Sequence, residues 1–171
     1  MSLPIYQLDA FTNQIFGGNP AAVVPLDSWL PDAIMQTIAA ENNLAETAFY
    51  VPTDNGFHIR WFTPTVEVDL CGHATLATAY VLFHLQNYPK DRISFESRSG
   101  ELIVCKEGDW LILDFPKDTL HKQLLSPPAL LEALGETVPV EILRGKTDFM
   151  VVLENEQQVR DLQPDVIVLS T

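Results

Sequence analysis

Short apolar runs, rich in β-branched and aromatic residues and bounded by Gly, Pro, Asn or Asp, dominate the first two thirds of the chain. Ile5 to Phe11, Ala21 to Leu26, Thr47 to Val51, Phe57 to Phe62, Arg92 to Glu96, Glu101 to Cys105 and Trp110 to Phe115 read as strands on this pattern. Lys106-Glu107-Gly108-Asp109 reads as the hairpin turn between the last two. The expected sheet is mostly antiparallel.

Two helical patterns interrupt the strands. Pro31 to Asn42 opens with Pro and Asp in its first turn, and Ile34, Met35, Ile38 and Ala39 fall on one face, which predicts an amphipathic surface helix. From Gly72 to about Asn87 the residues are small or apolar on every face, as in a helix surrounded by other elements. A strongly curved sheet wrapped round one central apolar helix satisfies both patterns and gives an α+β fold.

After Pro116 the pattern weakens. Leu120 to Pro128 holds two prolines and few strand signals, and Ala129 to Leu134 reads as a short helix stopped by Gly135. Glu141 to Leu153 reads as a hairpin about Gly145-Lys146, and Val166 to Leu169 as one more apolar strand. So short a segment supports little core of its own. The expectation is one lobe over residues 1–118 and the incomplete start of a second over residues 119–171.

Composition acts mainly by exclusion. The 171 residues are 47% hydrophobic and 19% charged, ordinary for a globular chain. The net charge of -13, with 10 basic residues scattered singly, argues against nucleic acid and anionic membrane surfaces as partners. A small anionic substrate stays compatible, because a helix N-terminus with one Arg makes a local positive site. No uninterrupted apolar run of about 18 residues appears, and Met1-Ser2-Leu3-Pro4 has neither a basic region nor a signal-type run, so a soluble, cytoplasmic protein is expected. Cys71 and Cys105 form neither a disulfide framework nor zinc-ligand spacing, and His58, His84 and His121 have no metal-ligand spacing. No metal is expected, and the cysteines read as free thiols.

One stretch breaks the apolar rule. Asp69-Leu70-Cys71-Gly72-His73-Ala74-Thr75 places an acid, a thiol and an imidazole at the start of the apolar helix. An unpaired polar group there costs roughly 2 to 7 kcal/mol to desolvate, which suggests chemistry. Four segments in order then form a recognisable set: Asp9-Ala10-Phe11 with Gly17-Gly18-Asn19-Pro20-Ala21, Asn43-Leu44-Ala45-Glu46-Thr47-Ala48-Phe49, Arg60-Trp61-Phe62-Thr63-Pro64, and Cys71-Gly72-His73-Ala74-Thr75. The combination resembles the PhzF family of phenazine-biosynthesis-like isomerases. The resemblance implies a diaminopimelate-epimerase-like fold of two similar lobes and a proton transfer without a cofactor.

By this resemblance Glu46 matches the catalytic acid/base and His73 the second active-site residue. Glu46 stands where a helix ends and a strand begins, and partial burial there raises a carboxyl pKa toward neutrality; the plain alternative is a solvated turn glutamate. His73 in a first helical turn is expected neutral, since the macrodipole disfavours an imidazolium; the plain alternative is a packed core histidine. The N–H groups of Ala74 and Thr75 beside it suit the carboxylate of a small substrate. Gly72 would allow close backbone approach, and Gly18 and Asn19 a loop facing the same cleft, although both residue types also mark ordinary turns. Arg60, Thr63 and Asp69 are further candidates, with salt bridges or caps as the alternative.

Three readings of function follow. The first is Glu46-mediated proton shift on a small carboxylate-bearing substrate. The second starts from Cys71, which stands where epimerases of the same fold carry one of two catalytic thiols, although Cys105 looks badly placed for the other. The third is a non-catalytic half that buries its strands against another copy as a homodimer. Family members carry an Asp-containing, Gly-Ser-rich motif in the second lobe, and none occurs between Pro116 and Thr171, so little activity is expected of these 171 residues alone.

Overall fold

The computed structural model describes residues 2–14, 16–123 and 125–170; Met1 of the N-terminal stretch and Leu124 of the proline-bearing stretch lie outside the described residues. Two compact units emerge, Met1–Pro116 and Lys117–Thr171.

The first unit contains the strands β1 (Tyr6–Ala10), β2 (Asn19–Pro25), β3 (Glu46–Thr53), β4 (Gly56–Phe62), β5 (Glu67–Val68), β6 (Arg92–Ser97), β7 (Gly100–Glu107) and β8 (Trp110–Asp114). Its helices are α1 (Asp32–Asn42) and α2 (Gly72–Tyr80). The strands form one sheet in the order β1-β2-β3-β4-β6-β7-β8, with β5 on β4. All seven expected strands are present, and β5 is an addition. Five of the seven pairings among the described residues are antiparallel, while β2–β3 and β4–β6 are parallel. Parallel neighbours require a crossover, and each crossover here carries one of the helices, α1 between β2 and β3 and α2 between β4 and β6.

Strict alternation along the central strands gives the sheet two buried faces. Val23, Ala48, Tyr50 and Trp61 point into the cluster around α2, whereas Val24, Phe49, Val51 and Phe62 point into a second cluster with Met35 and Ala39 of α1. Helix α2 packs on β1, β2 and β3 and also on β8 at the far end of the strand order, so the sheet curls until both ends reach the same helix. His73, Ala74, Thr75, Ala77, Thr78 and Ala79 are all buried. The two threonines are tolerated there because their hydroxyls donate back to the carbonyls of Cys71, at 2.6 Å, and Ala74, at 2.8 Å. A π-helical turn, Val81–Leu85, extends α2 and ends two residues short of the expected Asn87, which is left-handed at φ 54°.

Helix α1 is the expected surface helix with one change: Met35 and Ala39 are buried and Ile38 half-buried, but Ile34 is exposed. Asn43 closes α1 in a left-handed conformation with its amide donating to Ala39 O. That cap turns the chain so that β3 begins at Glu46.

The second unit holds β9 (His121–Lys122), β10 (Glu141–Arg144) and β11 (Phe149–Val152) in the order β11-β10-β9, with helices α3 (Pro128–Ala133), α4 (Glu156–Asp161) and α5 (Val166–Leu169). The hairpin about Gly145-Lys146 is present, its turn held by the Asp118 carboxylate, which accepts the Lys146 amide at 3.0 Å. Val166 to Leu169 is not a strand but a helical turn. Asp165 caps it, its carboxylate accepting the amides of Ile167 at 2.9 Å and Val168 at 3.2 Å, and this local bonding overrides the β-preference of Val and Ile. The buried apolar residues described in this unit are Ala133, Leu134 and Ile142. No helix among the described residues of either unit is long and apolar enough to cross a membrane.

Gly56 opens β4 where a Cβ would lie 2.2 Å from the carbonyl oxygen of Ser94 on β6. Gly56→Ala is expected to lower stability by about 1–3 kcal/mol, read as an earlier urea midpoint with an unchanged slope. A midpoint equal to the parent's would show that β4 and β6 part without strain.

Candidate active site

Strands β2 and β3 are parallel, and their pairing begins with Ala21 as the register partner of Glu46. Glu46 shares its face with Ala48 and Tyr50, so its carboxylate lies on the α2 side of the sheet. Helix α2 begins at this same end. Cys71 is its N-cap, extended at φ -144°, and Gly72 and His73 form its first turn. Glu46 Oε2 and His73 Nε2 are 3.3 Å apart, with side chains 20% and 9% exposed. At that distance the two groups are in ion-pair range without a hydrogen bond of good geometry, and neither atom has another hydrogen-bond partner among the described residues. On its other edge the imidazole places Nδ1 3.4 Å from Cys71 Sγ.

Leaving a buried polar atom unpaired costs about 1–3 kcal/mol, so two that face each other at the start of a helix call for an explanation. Glu46, Cys71 and His73 each bring one ligand atom within 4.8 Å of the others, close enough to share a metal ion. The imidazole, however, shows Nε2 to the carboxylate and Nδ1 to the sulfur, so one ion cannot use both of these contacts. The arrangement suits a chain of hydrogen bonds better than a chelate.

The helix start differs from the sequence expectation in one respect. The Thr75 amide donates to Cys71 O at 3.2 Å, and the amides of His73 and Ala74 lie beside the Cys71 sulfur. Ala74 and Thr75 are fully buried. Their N–H groups are therefore not free for a substrate carboxylate. The donor of this turn with no acceptor among the described residues is the amide of Gly72, where an added Cβ would meet only Phe115 Cε2 at 3.9 Å. The fold itself thus has room for a side chain at position 72.

Gly18 and Asn19 also separate. A Cβ at Gly18 would lie 2.2 Å from Ala10 O, so the β1–β2 connection demands glycine regardless of any ligand. Asn19 begins β2, exposed, two residues before Ala21 and therefore on the face that carries Glu46. Arg60, Thr63 and Asp69 have structural partners. Arg60 is opposite Phe49 in the register, on the α1 face, where its guanidinium bonds both carboxylate oxygens of Glu67, at 2.6 and 2.8 Å, and Asp32 at 2.9 Å. The Glu67 bonds, against the opposing effect of burial, raise its pKa and keep it charged. The Thr63 hydroxyl accepts the amides of Thr65 and Val66, and exposed Asp69 stands 3.5 Å from Arg98.

A family model described as phenazine biosynthesis-like protein, PhzC-PhzF, matches residues 8–170. The chain belongs to the PhzC-PhzF family. An uncharacterized isomerase of Pseudomonas aeruginosa is 52% identical over 165 residues, covering 96% of this chain and 62% of its own length. A crystal structure of a PhzF-family phenazine biosynthesis protein from Enterococcus faecalis superposes with a TM-score of 0.89 at 46% identity, covering all of this chain and 65% of that one. At 22% identity and a TM-score of 0.69, a predicted epimerase of Pseudomonas aeruginosa shares the fold. The chain thus spans less than two thirds of the length of these relatives.

Within this PhzC-PhzF chain the two cysteines do not form an opposed pair. Cys71 lies in the α2 cluster, whereas Cys105 alternates with the core residues Val104 and Leu102 and so points away from α2. Burial pushes the Cys71 thiol up to about 12, with the neighbouring Glu46 carboxylate adding to the effect and the His73 and Ala74 amides opposing it. Such a thiol is neither a nucleophile nor a base at neutral pH. His58 stacks edge-on against Trp29, and His84 lies flat on Tyr80.

The contact between Cys71 and His73 was not visible in the sequence, since residues two apart do not face each other along a helix. The N-cap position makes it possible, because the extended Cys71 aims its side chain back over the first turn. Two outcomes are expected. An alkylating reagent at pH 8 modifies half-buried Cys105 in the folded chain well before Cys71, read by peptide mass; equal labelling contradicts the burial of the thiol. Because the folded thiol ionises less readily than an unfolded one, its contribution to stability is complete below pH 9 and is lost as pH rises toward 12. Cys71→Ser is expected to flatten that part of the alkaline stability profile.

Proposed function

We propose that the chain is part of an isomerase that moves a proton on a small carboxylate-bearing substrate, with Glu46 as acid/base and no cofactor in the proton transfer. The observation that carries this reading is the buried pair of Glu46 Oε2 and His73 Nε2, 3.3 Å apart and without other hydrogen bonds among the described residues. Several relatives are named uncharacterized isomerases, which agrees with the class of reaction.

In the proposed step a C–H bond next to an activating carboxylate or double bond breaks, its proton passes to Glu46, and the electron pair forms a new double bond to the neighbouring carbon. The original double bond opens toward the distal carbon, which takes the proton back from Glu46 on the same face. His73 Nε2 stabilises the negative charge that develops between the two transfers, an effect strengthened by exclusion of water. The unpaired Gly72 amide at the positive end of α2 is the donor for the substrate carboxylate, and close approach of that group is the reason for glycine at this position. Asn19 adds a polar side chain on the same face of the sheet.

In this reading residues 1–118 are one lobe of a diaminopimelate-epimerase-like fold and residues 119–171 the start of a second. The part of the relatives that lies outside the 171 residues completes the site by closing it to water. The test follows deuterium wash-in from D2O into a panel of small unsaturated carboxylates by mass spectrometry, with the chain as given and with a version extended to the relatives' full length. The extended protein is expected to exchange a substrate hydrogen, and Glu46→Gln to slow it by about 100- to 10,000-fold. The chain as given is expected to exchange negligibly. Full exchange by Glu46→Gln would remove Glu46 from the mechanism, and equal rates in both lengths would remove the need for the additional residues.

A further inference from the structure

We propose that the Cys71 thiol donates its hydrogen to His73 Nδ1 and so holds the imidazole as the Nε2–H tautomer, with that N–H on the Glu46 side of the ring. The geometry is that of a relay through one ring. Sγ lies 3.4 Å from Nδ1, and Nε2 lies 3.3 Å from Oε2. The imidazole side chain is 9% exposed, which leaves little room for water to choose the tautomer in place of these two neighbours.

A neutral imidazole carries one hydrogen, so one nitrogen donates and the other accepts. Were the hydrogen on Nδ1, two acceptors, Nε2 and Glu46 Oε2, would stand 3.3 Å apart with no hydrogen between them. In a desolvated site that repulsion is strong. With the hydrogen on Nε2, the contact becomes attractive and Nδ1 is left as an acceptor. The sulfur is the group facing it. The His73 and Ala74 amides lie beside the sulfur from the helix side and satisfy it as an acceptor, which leaves its S–H to turn toward the ring. Burial keeps that hydrogen in place at neutral pH. The Glu46 carboxylate is also within hydrogen-bond reach of the thiol, and an S–H turned there would leave the bare Nδ1 facing sulfur with no hydrogen between them, so the ring is the acceptor that gains most from it.

Cys71 is then a positioning residue. It does not touch the reacting atoms, but it selects which ring nitrogen can donate toward Glu46 and toward charge developing beside it. Only this consequence for proton transfer rests on the isomerase reading; the tautomer itself does not.

The test is long-range ¹H–¹⁵N correlation NMR of the uniformly labelled 171-residue chain near neutral pH, with His73 assigned by the signals lost in His73→Gln. The expected spectrum shows Nδ1 in the range of an unprotonated ring nitrogen and Nε2 in that of a protonated one. Cys71→Ala is expected to draw the two shifts toward each other, the signature of exchanging tautomers, and Cys71→Ser, which retains a donor, to restore the parent pattern. A parent spectrum with hydrogen on Nδ1, or on both nitrogens, overturns the proposal without any variant. Shifts in Cys71→Ala equal to the parent's overturn the thiol as the cause. Neither result depends on turnover, so failure here leaves the deuterium-exchange test of Glu46 untouched, and failure there leaves the tautomer standing.

Discussion

A helix packed against several strands has little room for large side chains on the faces it buries, and a polar group it brings there is costly unless it finds a partner inside the protein. Helix α2 is under that constraint, since the sheet curls until β1, β2, β3 and β8 all pack on it. Its small residues admit the strands, its threonine hydroxyls fold back onto carbonyls one turn earlier, and beside His73 and Leu76 the larger buried side chains, Leu82 and Phe83, come in the π-helical turn. The same enclosure removes water from the first turn, where His73 and the Cys71 thiol sit.

The chemistry of the site follows from that loss of solvent. A carboxylate and an imidazole at the surface would be dissolved by water and could do little to one another. Held at the end of a curled sheet, the Glu46 and His73 atoms face each other without a well-formed hydrogen bond, and the thiol behind the ring keeps its hydrogen. Charged residues are instead gathered on the opposite face. There Arg60, Glu67, Asp32 and Arg98 form a network that ties β4 and β5 to α1 and the loop after β6. The half-buried Glu46 on the α2 face is in this way kept apart from the cations that hold Glu67.

Much of the first unit was legible as pattern. Seven strands, the amphipathic α1 and the all-apolar α2 come directly from residue type and spacing, because alternation and helical periodicity are local properties. The same locality explains the errors. Val166 to Leu169 has the composition of a strand, but Asp165 offers two amides a cap, and a few residues without a neighbouring strand follow the nearer bond. Lys122 and His121 form a short strand only because β10 is there to pair with them.

For the site, the motifs named Glu46 and His73, and the structure brings them together. Residue identities alone determined the elements, the family and the shortlist of proton-moving groups, since these depend on what each residue is and how far apart the residues stand. Tertiary structure decided which amides remained free at the start of α2, which face of the sheet held Arg60, and which nitrogen of His73 met the thiol. Those outcomes turn on direction and on exclusion of water. Both arise only when the sheet has closed around the helix.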